Sequence, residues 1–118
     1  MPESIFTKII NREVPAKIQY EDDDFIAFDD IKPSAPFDIL IVLKEPYATL
    51  QDVPLEKTAA YAGLLKTARK VAEKVGISDN YRIVMNVGQD MQLVKHVHLH
   101  LMGGWPTEQL HQVKLKNI

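Results

Sequence analysis

The sequence predicts an α+β fold: a mostly antiparallel sheet of five short strands, with one long and one short helix. Three observations carry this expectation. Short apolar or alternating segments recur between prolines, glycines and acidic clusters, which is the pattern of strands bounded by turns. One longer segment, from about Leu55 to Val75, repeats apolar residues at helical spacing. Strands cluster before that helix and again after it, an arrangement that suits α+β architecture.

The elements follow in order. Ser4 can cap a short helix reaching about Asn11, because its hydroxyl accepts a backbone N–H. Ile5, Phe6, Ile9 and Ile10 form the apolar face of that helix, and Pro15 closes the segment. Ala16–Glu21 and Phe25–Asp29 read as strands joined by the acidic turn Glu21–Asp24, a hairpin. Asp29–Asp38 contains Pro33 and Pro36 and reads as a restricted connection. Ile39–Leu43 (ILIVL) is an unbroken apolar run, the mark of a central strand. Pro46 and Pro54 bracket a loop, and Asp52 is a candidate cap for the long helix. The stripe of that helix is Tyr61, Leu64, Leu65, Ala68, Val71, Ala72 and Val75, and Gly76 is its stop. Tyr81–Val87 is a strand, Gly88–Val94 a loop, and Lys95–Met102 the last strand, broken by Gly103-Gly104.

At 118 residues the chain is one domain, large enough to bury most of its apolar surface. Residues 1–104 form the domain, and 105–118 are a polar tail of it that carries Trp105 and His111. Hydrophobic content of 46% and charged content of 25% are ordinary for a soluble globular protein. The net charge of −2 argues against nucleic acid or an anionic membrane as a partner. There is no cysteine, so disulfides and thiolate metal sites are excluded. With no basic-then-apolar leader pattern and no apolar run of membrane-spanning length, the expected location is the cytoplasm.

The informative stretch is KHVHLHLMGG, from Lys95 to Gly104, with three of the four histidines at alternate positions. On a strand, residues two apart share a face, so His96, His98 and His100 would stand in a row while Val97, Leu99 and Leu101 face a core. Charged, the three would repel each other; buried and neutral, each would need partners for two ring nitrogens. Such a cost points to function. Two chemistries suit the row. It can hold a metal ion, with one coordination position open to water. It can also run covalent catalysis, in which a central imidazole attacks phosphorus and its neighbours hold oxygens or move a proton. The surroundings favour the second. Asn86 ends the preceding strand, Gly88–Gln92 can offer amides to a phosphate, and Asp30 offers a carboxylate to a ribose.

HVHLHLM at His96–Met102 has the form His-φ-His-φ-His-φ-φ and resembles the histidine-triad (HIT) signature. SIFTKIINREVPAKIQYEDDDFIAFDDIKPSAP, from Ser4 to Pro36, resembles the opening of the Hint branch, the histidine-triad nucleotide-binding proteins. YRIVMNVG and HLMGG extend the match to roughly Ser4–Gly104. The resemblance implies a HIT-like fold and a homodimer with one sheet across both subunits. It implies a nucleotide site and hydrolysis of purine nucleoside 5′-phosphoramidates at the α-phosphate, releasing the nucleoside monophosphate and an amine. It implies His98 as the nucleophile that forms a nucleotidyl-histidine, His100 at the phosphate and leaving group, and His96 in support. It places Asp30 on the ribose, with Ile31 beside it. Ile5, Phe6, Ile9 and Phe28 would line the base pocket, with Asn86 and Gln92 at the phosphate. No cofactor is implied, although the histidine row would suit adventitious zinc.

The chain departs from the Hint pattern in one region and at one further position. Before the triad that branch carries Gly-Gly-Gln, a small polar residue, Val and Tyr. Here Asp90 and Met91 replace the glycines, Gln92 is kept, Leu93 replaces the hydroxyl residue and Lys95 the tyrosine, in a stretch one residue shorter. A further family histidine is matched by Asp38. Three competing expectations follow: a dinucleoside polyphosphate hydrolase, a nucleotide-binding or scaffold protein without turnover, and a metalloprotein built on the row.

Overall fold

The computed structural model describes residues 3–110. Helix α1 spans Ile5–Ile10, with Ser4 as N-cap accepting from Thr7 N–H at 3.1 Å. Strands β1 (Ile18–Glu21) and β2 (Phe25–Asp29) form the expected antiparallel hairpin. Its acidic turn is held by Asp22, whose Oδ1 accepts from the N–H groups of Asp24 (2.9 Å) and Phe25 (2.8 Å). Strand β3 spans Phe37–Leu43, helix α2 Thr58–Val75, β4 Tyr81–Val84 and β5 His98–Gly103. The five strands lie in the order β1-β2-β3-β5-β4, and every pairing is antiparallel.

Both faces of the central strands are covered, which is why β3 reads as a continuous apolar run instead of an alternating one. On one face α2 packs Leu64, Ala68, Val71 and Ala72 against Phe25, Ala27, Ile39, Ile41, Leu99 and Leu101. On the other, α1 packs Phe6 and Ile9 against Ile26, Phe28, Leu40 and Val42. Gly76 stops α2 in the left-handed region (φ 82°), with its N–H on Glu73 O and that of Ile77 on Ala72 O. No helix among the described residues is long and apolar enough to cross a membrane.

Several boundaries differ from the sequence expectation. Helix α2 begins at Thr58, not Leu55, and Asp52 does not cap it. Asp52 closes a 3₁₀ turn at Leu50–Asp52, its carboxylate accepting from the N–H and hydroxyl of Thr49 at 3.1 and 3.0 Å. Pro54 sits in the connection before α2, and the first helical turn has moved past it. Leu65 is exposed and leaves the stripe, since it lies one position round the helix from buried Leu64. Strand β1 starts at Ile18 and β4 stops at Val84. Strand β3 starts two residues early, so Asp38 pairs with Met102 in the sheet interior instead of ending a loop. Strand β5 starts at His98, leaving His96 outside the ladder. Of the tail, residues 107–110 are helical, and His111 lies outside the described residues.

Candidate active site

The site is assembled on the α1 face of β5. His98 pairs with Val42, and His100 with Leu40 and Val84, so both rings point to the face that α1 covers. Val97, Leu99 and Leu101 point to the α2 core. Alternation along a strand accounts for both sets. The two rings meet edge to face, with centroids 5.3 Å apart. Phe6 of α1 stands edge-on to His98 at 4.9 Å.

His96 is held differently from the strand position expected for it. Val97 N–H bonds to Tyr47 O (2.9 Å), and His96 N–H turns back to Val94 O (3.0 Å). These local bonds replace a ladder partner. The ring is 1% exposed, with Nε2 at 2.7 Å from Leu43 O and Nδ1 at 2.9 Å from Ser4 Oγ. A carbonyl only accepts, so Nε2 carries the proton and Nδ1 accepts from the serine hydroxyl. Ser4 therefore caps α1 and locks that helix to the histidine motif. Ser4→Ala removes both contacts and is expected to cost about 2 kcal/mol, the sum of a lost cap and an unsatisfied ring nitrogen. Urea unfolding checks this; a loss no larger than an isolated cap would show that the His96 contact contributes nothing.

His98 is buried, and its Nδ1 donates to His96 O at 2.7 Å. Burial is the main cause that lowers the pKa of His98; its bond to His96 O opposes this, while His100 and His96 add to it. Burial also lowers that of His96, against the bond to Leu43 O. Both rings are therefore neutral at pH 7. For His98 that leaves the lone pair on Nε2, the nitrogen not committed to the backbone. An imidazole so arranged is a nucleophile without prior loss of a proton.

The same shifts set a pH dependence of stability. The folded-state pKa values lie below the ordinary 6.5, so below 6.5 the unfolded chain binds more protons than the folded one. The stabilisation is complete above pH 6.5 and is lost progressively as pH falls from 6.5 towards the lowered values. The melting temperature is expected to drop between pH 7.5 and 5.5, and to drop less in His96→Gln. Equal drops in the two proteins would exclude a contribution from His96.

His100 is partly exposed and meets carboxylates. Its Nδ1 lies 3.2 Å from Asp38 Oδ1 and 3.8 Å from Asp30 Oδ2. Asp38 Oδ2 accepts from Ser34 N–H and Asp30 Oδ1 from Lys32 N–H, each at 3.0 Å. Among the described residues, Asp30, Asp38 and His100 are the only grouping of three potential metal-ligand atoms. Their mutual and backbone bonds account for the clustering. The expected row does not converge on an ion, because His96 spends both nitrogens on protein and His98 spends Nδ1.

The family model for the HIT domain matches residues 11–107. The chain belongs to the HIT family. An uncharacterized HIT-like protein of Synechocystis is 45% identical over 105 residues, covering 88% of this chain and 92% of that protein. The purine nucleoside phosphoramidase of Escherichia coli K12 is 45% identical over 106 residues, covering 88% and 89%. A HIT family hydrolase from Clostridium thermocellum superposes with a TM-score of 0.84 at 39% identity, covering 91% of this chain and 95% of that one. The HIT-like sheet expected from the sequence is the one observed.

Within this HIT domain the remaining sequence-predicted residues divide by environment. Phe6, Ile9 and Phe28 are buried in the smaller core, with Phe6 and Phe28 ring centroids 5.3 Å apart. Ile5 and Ile31 present apolar surface instead, 44% and 93% exposed. Asn86 is half-buried just beyond β4. Gln92 is buried, and its amide fastens the loop: Oε1 accepts from Gly88 N–H (2.9 Å), while Nε2 donates to Ala48 O (2.9 Å) and Val94 O (3.1 Å). Lys95 adds to this fastening, its ammonium donating to Gln89 O and Gln92 O. Leu93 is almost fully exposed. Sequence reasoning gave no role in the site to Ser4 beyond capping, and none to Lys95. Asp38 was visible there only as a family histidine replaced by a carboxylate.

Proposed function

We propose that this HIT protein hydrolyses purine nucleoside 5′-phosphoramidates at the α-phosphate through a nucleotidyl-histidine intermediate. The observation that carries the reading is the fixed tautomer of His98, whose Nδ1–H is held by His96 O. Identity of 45% to a purine nucleoside phosphoramidase supports the substrate class. In this reading His98 Nε2 attacks phosphorus, His100 faces the leaving group, and His96 with Ser4 holds the backbone that orients His98. Asp30 accepts from the ribose hydroxyls. Ile5 and Ile31 flank the base, backed by Phe6, Ile9 and Phe28. Asn86 approaches the phosphate, and Gln92 acts through the shape of its loop. The covalent route calls for no cofactor. The chain acts as a cytoplasmic homodimer, for which β4, an outer strand of the sheet, offers an edge for pairing with a second copy.

The test is incubation with adenosine 5′-phosphoramidate, followed by phosphorus NMR. AMP should accumulate with release of ammonia. Cleavage of diadenosine polyphosphates in preference would move the protein to that hydrolase class. AMP binding without turnover of either substrate would leave a nucleotide-binding module.

A further inference from the structure

The two imidazoles of β5 have different partners at Nδ1. His98 donates to a neutral carbonyl, His96 O at 2.7 Å. His100 faces a carboxylate, Asp38 Oδ1 at 3.2 Å. That carboxylate belongs to the sheet: Asp38 pairs with Met102 in β3, its side chain is 1% exposed, and its second oxygen is held by Ser34 N–H at 3.0 Å. A buried carboxylate bonded on both oxygens is fixed in place. It sets the position of the ring bonded to it. The second carboxylate, of Asp30, is 3.8 Å from the same nitrogen and more exposed.

We propose that Asp38 is a positioning residue that makes His100 the proton donor to the leaving amine. This rests on the phosphoramidase reading above. Asp38 takes Nδ1–H, so the opposite nitrogen, Nε2, is turned to the substrate beside His98, and a carboxylate on Nδ1 supports the ring while it carries both protons. In the first step the Nε2 lone pair of His98 forms a bond to phosphorus as the P–N bond breaks. The electron pair of that bond takes the proton from His100 Nε2, and the amine leaves neutral. In the second step water attacks phosphorus and gives its proton to His100 Nε2. The bond from phosphorus to His98 breaks, the lone pair returns to His98, and His100 is restored.

The test compares Asp38→Asn with wild type on two substrates. Adenosine 5′-phosphoramidate has a leaving group that must be protonated, whereas the p-nitrophenyl ester of AMP releases a phenolate that need not be. Asp38→Asn should lower the single-turnover rate of amine release from the phosphoramidate about 10²–10³-fold, within the range of a general acid. The single-turnover rate of nitrophenolate release from the ester, which precedes the water step shared by both substrates, should change less than about tenfold, which also reports that the variant is folded and retains its nucleophile. Nitrogen-15 NMR of labelled histidine should show a hydrogen-bonded Nδ1–H at His100 in wild type that is altered in Asp38→Asn. Equal losses on both substrates, or no loss on either, would overturn the proton role. A variant inactive on both but unfolded by circular dichroism is replaced by Asp38→Glu, for which the same split is required. Wild type that cleaves the ester but not the phosphoramidate would overturn the phosphoramidase reading and the proton role together, while the Nδ1 signal would still decide whether Asp38 holds the ring.

Discussion

His98→Ala is expected to lower AMP release from adenosine 5′-phosphoramidate at least about 10⁴-fold, the scale seen when a covalent nucleophile is removed. The reason is geometric. His98 is the triad member whose uncommitted nitrogen sits opposite a backbone-bound one, with Nδ1 on His96 O at 2.7 Å. His96 has no free nitrogen, since Leu43 O and Ser4 Oγ occupy both at 2.7 and 2.9 Å. His100 is turned to carboxylates. Rapid quenching of wild type with a phosphorus-labelled substrate should trap label on protein, and His98→Ala should trap none. Activity of the variant within tenfold of wild type would mean that water attacks phosphorus directly. Thermal unfolding separates this from misfolding: His98 contributes one backbone bond and contacts with Phe6, so the variant is expected to stay folded at 25 °C.

Gly63→Val is expected to be the most destabilising of the substitutions considered. Gly63 lies in the body of α2, where glycine ordinarily weakens a helix by about 1 kcal/mol relative to alanine. Its reason is close approach: a Cβ there would overlap the ring of Phe25, which is 6% exposed in the core beneath α2. To admit two more methyls, either the ring leaves its place or α2 lifts from the sheet. Overpacking of this kind costs about 3 kcal/mol. For a domain of this size that corresponds to a fall in melting temperature of about 10 °C. Gly63→Ala should lose less, because gained helix propensity offsets part of the clash. Gly63→Ala combined with Phe25→Leu should recover part of the loss, a coupling expected of neighbours that share one volume. A melting temperature for Gly63→Val within 2 °C or so of wild type would mean that α2 is not pinned at this point.

The elements were legible wherever their cause is local. The ILIVL run, the stripe from Tyr61 to Val75 with Gly76 after it, and the alternation of His98 with Leu99 and Leu101 each follow from spacing within a few residues. The class of fold and the strand face that carries His98 and His100 could therefore be read from the chain. Element ends were less legible. The start of α2 depends on the 3₁₀ turn that takes Asp52 for Thr49, and Asp38 enters β3 because β5 lies alongside it.

The chemistry of each histidine lay beyond what spacing conveys. Three identical side chains at alternate positions became three different groups through their partners: Ser4 and Leu43, far along the chain, for His96; the carbonyl of His96, two residues away, for His98; and distant Asp38 for His100. Gln92, expected at the phosphate, is committed to backbone groups as distant as Ala48. A hydrogen bond fixes which ring nitrogen holds the proton, and burial fixes whether the ring is charged. Local order along the chain decides which face a histidine occupies. Folding decides what meets it there: the partners of His96 and His100 arrive from dozens of residues away, and even His98, whose Nδ1 partner is local, is packed against Phe6 of distant α1.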